Sequence, residues 1–267
     1  MNYYNEYDAR AAAWLRELIN QNLIPYGHVD TRSITEVKPD ELKGYAQCHF
    51  FAGIGGWSYA LQLAGWPADR PVWTGSCPCQ PFSVAGKGKG VADERHLWPV
   101  FFELIRQCRP KHVFGEQVAS AINHGWLDGV SADLEAEGYA CGAAVLGAHS
   151  VNSPHQRQRL YWVAYGNDKR LERGDSVREC SCDDAGAGGV ADGSPSFWAG
   201  TNIQCRDGKT RRIPSEPALF PLADGLSGRV GLLRGAGNAI VPQVAAEFVS
   251  AFLECQGEQF EQTEEWV

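Results

Sequence analysis

The chain has 267 residues, 44% of them hydrophobic and 21% charged, with a formal net charge of −8. That length suits one large α/β domain with a small appendage and a sizeable buried core. No apolar run approaches the ~18 residues that a membrane span needs, and Met1-Asn2-Tyr3-Tyr4-Asn5-Glu6 lacks the basic-then-apolar profile of a signal peptide. A cytoplasmic protein without a membrane partner is therefore expected. The negative charge argues against a passive nucleic-acid binder, but an enzyme with a local basic cleft stays open. The nine cysteines are scattered and odd in number. In a reducing compartment they are buried, catalytic or metal-bound rather than paired.

In chain order, Met1–Tyr7 reads as a short aromatic strand. Ala9–Ile24 reads as a helix, with Ala12, Leu15, Leu18 and Ile19 at helical spacing. Gln47–Ala52 is a strand that ends in the turn Gly53-Ile54-Gly55-Gly56. Helix Trp57–Ala64 comes next, with Trp57, Ala60, Leu61 and Ala64 on one face. Strand Val72–Thr74 leads into Cys77-Pro78-Cys79-Gln80. Then come helix Leu97–Gln107, strand Lys111–Gly115, helix Leu127–Glu137, and strands Tyr139–Gly147 and Arg159–Tyr165. This alternation predicts a mostly parallel sheet with helices on both faces over residues 1–165. Composition shifts at Gly166. Residues 166–230 are rich in glycine and in charges of both signs, and read as a small irregular region. Residues 231–256 return to the main domain through an amphipathic helix, Pro242–Leu253, and the acidic residues beyond Gln256 are expected to fray.

Four local patterns carry chemistry. The glycine turn lets the backbone approach a ligand closely, and the helix after it favours an anionic group; alone, it is equally a tight strand-to-helix turn. Ser76-Cys77-Pro78-Cys79-Gln80-Pro81-Phe82-Ser83 sets a thiol on a rigid turn at the carboxyl edge of the sheet, where open α/β folds bind ligands. A buried structural cysteine and a Cys77/Cys79 metal pair compete with that assignment, but no Cys/His pair close in sequence completes a metal site. Gly86-Lys87-Gly88-Lys89-Gly90 suits a loop that touches phosphates. Glu116 ends an apolar strand, where poor solvation would raise its pKa; a helix cap is the plainer role. His155-Gln156-Arg157-Gln158-Arg159 enters a strand whose alternation could turn one arginine into a cleft.

Together, Phe51-Ala52-Gly53-Ile54-Gly55-Gly56, Pro78-Cys79-Gln80-Pro81-Phe82-Ser83, Glu116-Gln117-Val118, Gln156-Arg157-Gln158-Arg159 and Gly237-Asn238-Ala239-Ile240-Val241-Pro242 resemble the ordered motifs of the DNA cytosine-5 methyltransferases, over roughly residues 49–165 and 235–253. The resemblance implies a Rossmann-like S-adenosylmethionine-dependent fold with a small target-recognition region, and double-stranded DNA as partner. It implies Cys79 as nucleophile at C6 of a flipped cytosine, Glu116 at N3 and the exocyclic amine, and Arg157 and Arg159 at the base oxygen and a phosphate. Phe51 would stack on the adenine, with Ala52 and Gly53, Ile54, Gly55 and Gly56 lining the cofactor and Pro78 and Asn238 facing it. Gln80, Ser83, Lys87, Lys89, Arg95, Arg211 and Arg212 are the expected DNA contacts. No metal site and a monomeric state are expected. Cys180, Cys182 and Cys205 could hold zinc only with a fourth ligand that the sequence does not display.

The chain departs from the family in one place. Only Trp57–Gly75 separates the glycine turn from the cysteine, too little for the two strands that bear the family's cofactor acids. Asn5-Glu6-Tyr7-Asp8 and Val29-Asp30-Thr31 resemble those missing strand ends. The expectation is a local circular permutation within residues 1–45, in which Glu6 accepts the ribose hydroxyls and Asp30 accepts from the adenine amino group. Otherwise these acids are exposed charges of an unrelated extension. Smaller departures are Gln117 and His155, which stand where the family usually has Asn and Gln. A rearranged pocket could also take a modified donor, such as a carboxylated S-adenosylmethionine. A DNA-binding protein without catalysis is the third possibility.

Overall fold

The computed structural model describes residues 1–78, 97–151, 153, 156–166, 200–204, 210–214 and 239–257. Seven strands form one sheet: β1 (Asn2–Asn5), β2 (Gly27–Asp30), β3 (Gln47–Phe50), β4 (Val72–Gly75), β5 (His112–Val118), β6 (Tyr139–Leu146) and β7 (Arg159–Gly166). Their spatial order is β2-β1-β3-β4-β5-β7-β6. The first five are parallel, and β7 runs antiparallel to both β5 and β6. The helices are α1 (Ala9–Asn20), α2 (Gly56–Leu63), α3 (Trp98–Cys108), α4 (Trp126–Ala136) and α5 (Pro242–Cys255). A two-stranded antiparallel ribbon, β8 (Gly200–Gln204) with β9 (Thr210–Pro214), forms a separate sheet.

Alternation along the strands assigns the two faces. Tyr4, His49, Thr74, Phe114 and Val163 are register partners on one face. That face is covered by α1 through Ala12, Leu15 and Ile19, and by α2 and α5 through Trp57, Ala60, Leu61, Val244, Ala245 and Val249. Tyr3, Cys48, Trp73, Val113 and Ala164 are partners on the other face, packed under α3, α4 and the 3-10 turns at Ile34–Glu36 and Pro39–Leu42. Strands buried on both faces read as continuous apolar runs, which is why their periodicity is weak and their composition strong. Asp8 caps α1 by accepting from the Arg10 and Ala11 amides at 2.9 and 3.0 Å. The helix stops short of the expected Ile24 because Asn22 takes a left-handed φ of 56°.

The order matches the doubly wound pattern 3-2-1-4-5 if counting starts at β3 and the two N-terminal strands take places two and three. It has a geometric consequence. α1 carries the chain from β1 outward to β2, and α2 carries it from β3 the opposite way to β4, yet both helices lie on the same face. Two parallel crossovers on one face in opposite directions have opposite hands. The steps β1→β2, β2→β3 and β4→β5 share one hand, and β3→β4 alone has the other. Parallel crossovers are overwhelmingly right-handed, so β3→β4 stands apart from the other connections of the sheet.

Candidate active site

The carboxyl ends of β1, β2, β3, β4 and β5 meet at one edge of the sheet, with the start of antiparallel β7 beside them. The order of the strands reverses between β3 and β4, so a crevice opens there. The left wall is the turn after β3. Phe51 holds a left-handed φ of 53°, Gly53 one of 56° and Gly55 one of 86°. A non-glycine residue in that region is strained and persists only where its surroundings enforce it. Phe51 is fixed by an edge contact with Phe101, and its neighbour Ala52 by an amide hydrogen bond to the Asn5 carbonyl at 3.0 Å. A Cβ on Gly55 would press on Leu15, Ile24 and Leu18 at 3.3–3.4 Å, and one on Gly56 would meet Ile240 Cγ1 at 2.7 Å. The glycines at these two places serve close packing of α1 and of the 239–241 segment as much as chain reversal.

Glu6, at the tip of β1, accepts from the Gly53 amide at 2.7 Å and from the Asp8 amide at 2.8 Å, one bond to each carboxylate oxygen. It lies against the glycine turn, and each oxygen keeps acceptor capacity for another donor. Asp30, at the tip of β2, is different. It is 5% exposed, and takes the Tyr3 hydroxyl at 2.9 Å, the Arg32 amide at 2.9 Å and two nitrogens of the Arg32 guanidinium. Burial alone would raise its pKa, but the Arg32 side-chain and backbone donors and Tyr3 outweigh that and bring it to about 2. Arg32 also binds Glu41 at 3.1 Å. Residue types alone do not point to Tyr3 and Arg32, because their partners are remote or on the opposite side of a turn. A left-handed turn, a carboxylate with free lone pairs and the first turn of α2 together form a cradle with the donors and acceptors of a nucleoside with an amino-acid tail, so the residues present fit S-adenosylmethionine.

The right wall is built from β4, β5 and β7. Pro78 is exposed at the end of β4, and Cys79, Gln80, Ser83, Lys87, Lys89 and Arg95 lie outside the described residues. The Cys77 thiol is buried and its pKa is pushed far up by desolvation, which leaves it a poor nucleophile. Glu116 is 9% exposed. Its carboxylate stands 2.9 Å from Arg159 Nε. Burial raises its pKa, and that effect exceeds the opposing pull of Arg159, Arg157 and the Ser76 hydroxyl. Ser76 also accepts from Trp57 Nε1 at 3.0 Å, which ties the site to α2; its place just before Cys77 is the only sequence hint of that role. Gln117, behind Glu116, donates to the Cys77 carbonyl at 3.3 Å and so links β5 to the loop after β4. Arg157 and Arg159 take different partners: Arg159 pairs with Glu116, whereas the Arg157 guanidinium donates to the Ala239 carbonyl. Asn238 lies outside the described residues. Arg211 and Arg212 sit on consecutive positions of β9. No group of three metal-ligating side chains occurs among the described residues, and Cys180, Cys182 and Cys205 lie outside them. No described helix is long and apolar enough to cross a membrane.

This is a Rossmann-like α/β fold with a two-walled crevice at its switch point. Residues 67–184 match the family model of the C-5 cytosine-specific DNA methylases. The Type II methyltransferase M.HhaI of Haemophilus parahaemolyticus is 28% identical over 51% of this chain and 54% of its own length. The Type II methyltransferase M.AplI of Arthrospira platensis is 36% identical over 35% of this chain and 28% of its own length. The chain thus spans about half the length of the first and less of the second. The Dnmt2 methyltransferase of S. pombe superposes with a TM-score of 0.50 at 13% identity, over 96% of this chain and 99% of that one, a likeness of fold. Residues 67–184 thus resemble a C-5 cytosine-specific DNA methylase domain. The family match begins at residue 67, beyond both the N-terminal acids and the glycine turn.

Proposed function

We propose that the protein transfers a methyl group from S-adenosylmethionine to C5 of a cytosine flipped out of double-stranded DNA. The observation that carries this reading is the pairing of buried Glu116 with Arg159 at 2.9 Å, beside the strand end that leads through Pro78 to Cys79. Cytosine C5 is too weak a nucleophile to attack a methyl sulfonium. Addition of the Cys79 thiolate to C6 gives the ring enamine character, and C5 becomes nucleophilic. The negative charge developing at N3 needs a proton or a strong hydrogen bond. A carboxyl whose pKa is raised by burial can supply it near neutral pH. Arg159 holds that carboxyl in place and offers its remaining donors to the base oxygen. After methyl transfer the C5 proton leaves to a base, the thiolate is expelled from C6, and the methylated ring is restored. Base access requires flipping, because C6 cannot be reached in the stack.

On the other wall, Glu6 accepts the ribose hydroxyls while its bond to the Gly53 amide holds the turn, and Phe51 through Gly56 and Pro78 line the cofactor. The bound S-adenosylmethionine supplies an electrophilic methyl. Asp30, already saturated by Tyr3 and Arg32, supports the rim of the adenine site instead of binding the amino group. Asn238 completes the pocket. DNA is held by Gln80, Ser83, Lys87, Lys89 and Arg95 on the loop after Cys79 and by the β8–β9 ribbon. A two-stranded ribbon fits a major groove. Asn202 pairs with Arg212 and Gln204 with Thr210 in its register. Residues 166–230 are the target-recognition region, and the protein acts as a monomer in the cytoplasm.

Sequencing and nucleoside mass spectrometry of DNA from cells expressing the protein test this directly. A 5-methylcytosine mass in one sequence context is the expected result. Unmodified cytosine, together with no covalent adduct on 5-fluorocytosine DNA, would sink it.

A further inference from the structure

The two arginines of Arg157-Gln158-Arg159 both lie close enough to Glu116 to lower its pKa, but their hydrogen-bonding partners differ. We infer that Arg157 is a positioning residue that pins the returning segment 239–241 over the cofactor turn, and does not contact DNA. Three observations meet at this point. Arg157 is half-buried, has a left-handed φ of 33°, and donates through Nη2 to the Ala239 carbonyl. Such a backbone conformation in a long-chain residue is unfavourable and is kept only where the side chain is held by its surroundings. Next along the chain, Ile240 is 9% exposed and lies against Gly56, so close that a Cβ there would be 2.7 Å away. Then Val241 and Pro242 open α5, whose Val244, Ala245 and Val249 pack on the core shared with α2.

The segment is thus gripped from two sides: by Arg157 from the arginine corner and by the first residue of α2 from the cofactor turn. Pro242 offers no amide to the preceding chain, so the Arg157 guanidinium supplies a donor to Ala239 that the helix start does not. A charge-assisted bond of this kind is stronger than a neutral one. The pin connects the wall that holds the base to the wall that holds the cofactor. Freed from it, residues 239 and 240 would lose their fixed place beside Gly56. The inference rests on the proposed function only for the identity of the cofactor.

The test uses the full chain and the variants Arg157→Ala and Arg157→Lys. Hydrogen exchange of peptides spanning 239–245 is measured in the protein without ligands, and dissociation constants for S-adenosylmethionine and for a DNA duplex are measured separately. Arg157→Ala should exchange about tenfold faster in that segment and bind S-adenosylmethionine about tenfold more weakly, with DNA affinity within about twofold of wild type. Arg157→Lys, which keeps a cationic donor, should recover most of both. The pin is overturned if exchange and cofactor affinity are unchanged while DNA affinity drops and its salt dependence weakens by about one phosphate contact. Should Arg157→Ala be too unstable to measure, Arg157→Lys and Arg157→Gln decide by the same two readouts: equal exchange in both and in wild type ends the inference. A wild-type protein that binds no S-adenosylmethionine would defeat the functional reading, while exchange in the unliganded chain would still decide the pin.

Discussion

The two walls of the crevice were assembled in different ways. The β4–β5–β7 wall, with Pro78, Glu116 and Arg159, falls within residues 67–184, which match the family model. The β1–β2–β3 wall is made from the N-terminus, with Glu6 brought 47 residues back to the Gly53 amide. Yet both walls present a carboxylate at a strand tip, close to a backbone turn. Strand order along the chain matters little to a parallel sheet so long as the connections can span it. What matters is that carboxyl ends arrive at one edge. The cost is visible only at β3→β4, which must cross on the face already used by α1 and so takes the opposite hand.

The largest expected effect lies on the ordinary wall. Cys79→Ser should abolish the covalent adduct with 5-fluorocytosine DNA and reduce methylation to background, and an undiminished adduct would remove Cys79 from the mechanism. Glu116→Gln should lower turnover by about 10²–10⁴, the usual worth of a positioned acid, and leave cofactor binding unchanged by calorimetry. Its pH dependence has a definite sign. Burial raises the folded-state pKa of Glu116, so the folded protein binds that proton more tightly than the unfolded chain. Stability from this group is full at low pH and is lost as pH rises through the folded pKa. The drop in melting temperature between mildly acidic and alkaline buffer should therefore be smaller in Glu116→Gln than in wild type.

On the N-terminal wall the effects are smaller and fall on binding. Glu6→Ala removes the acceptor for Gly53 and the ribose, and should weaken S-adenosylmethionine about tenfold to hundredfold, with DNA affinity retained. An unchanged cofactor affinity would return Glu6 to a purely structural role at the turn. Gly56→Ala forces a methyl against Ile240. It should cost about 1–3 kcal/mol in denaturant melts, the range for overpacking. The finest distinction is on the ribbon. Arg212→Ala and Arg211→Ala, at consecutive positions of β9, should alter the preferred sequence context to different extents. Identical contexts from both variants would detach the ribbon from sequence readout.

Much of this is legible in the residues alone. The alternation of elements, the glycine turn and the acid near the end of β5 come from residue types at strand ends, and the placing of Glu6 near the glycine turn comes from the family resemblance. The first three are local signals: a strand pattern sets direction, and the residues just past a parallel strand's end must lie at the carboxyl edge. The partners of Asp30 are not legible. Tyr3 is 27 residues away and Arg32 is two residues on, across a bend whose geometry no composition rule specifies. The division of labour between Arg157 and Arg159 is hidden for the same reason, since Ala239 is 82 residues from Arg157.

By itself, then, the sequence determined the class of fold and, through its resemblance to a family, the chemistry expected at Cys79 and Glu116. These depend on residue identity and on the spacing between consecutive elements. Only the tertiary structure decided the hand of the β3→β4 crossover, the saturation of Asp30 and the grip of Arg157 on the returning chain. Each of those depends on which groups meet across the sheet once burial strips them of water. A buried charge or donor must then take whichever partner is within reach, and reach is a property of the packed molecule.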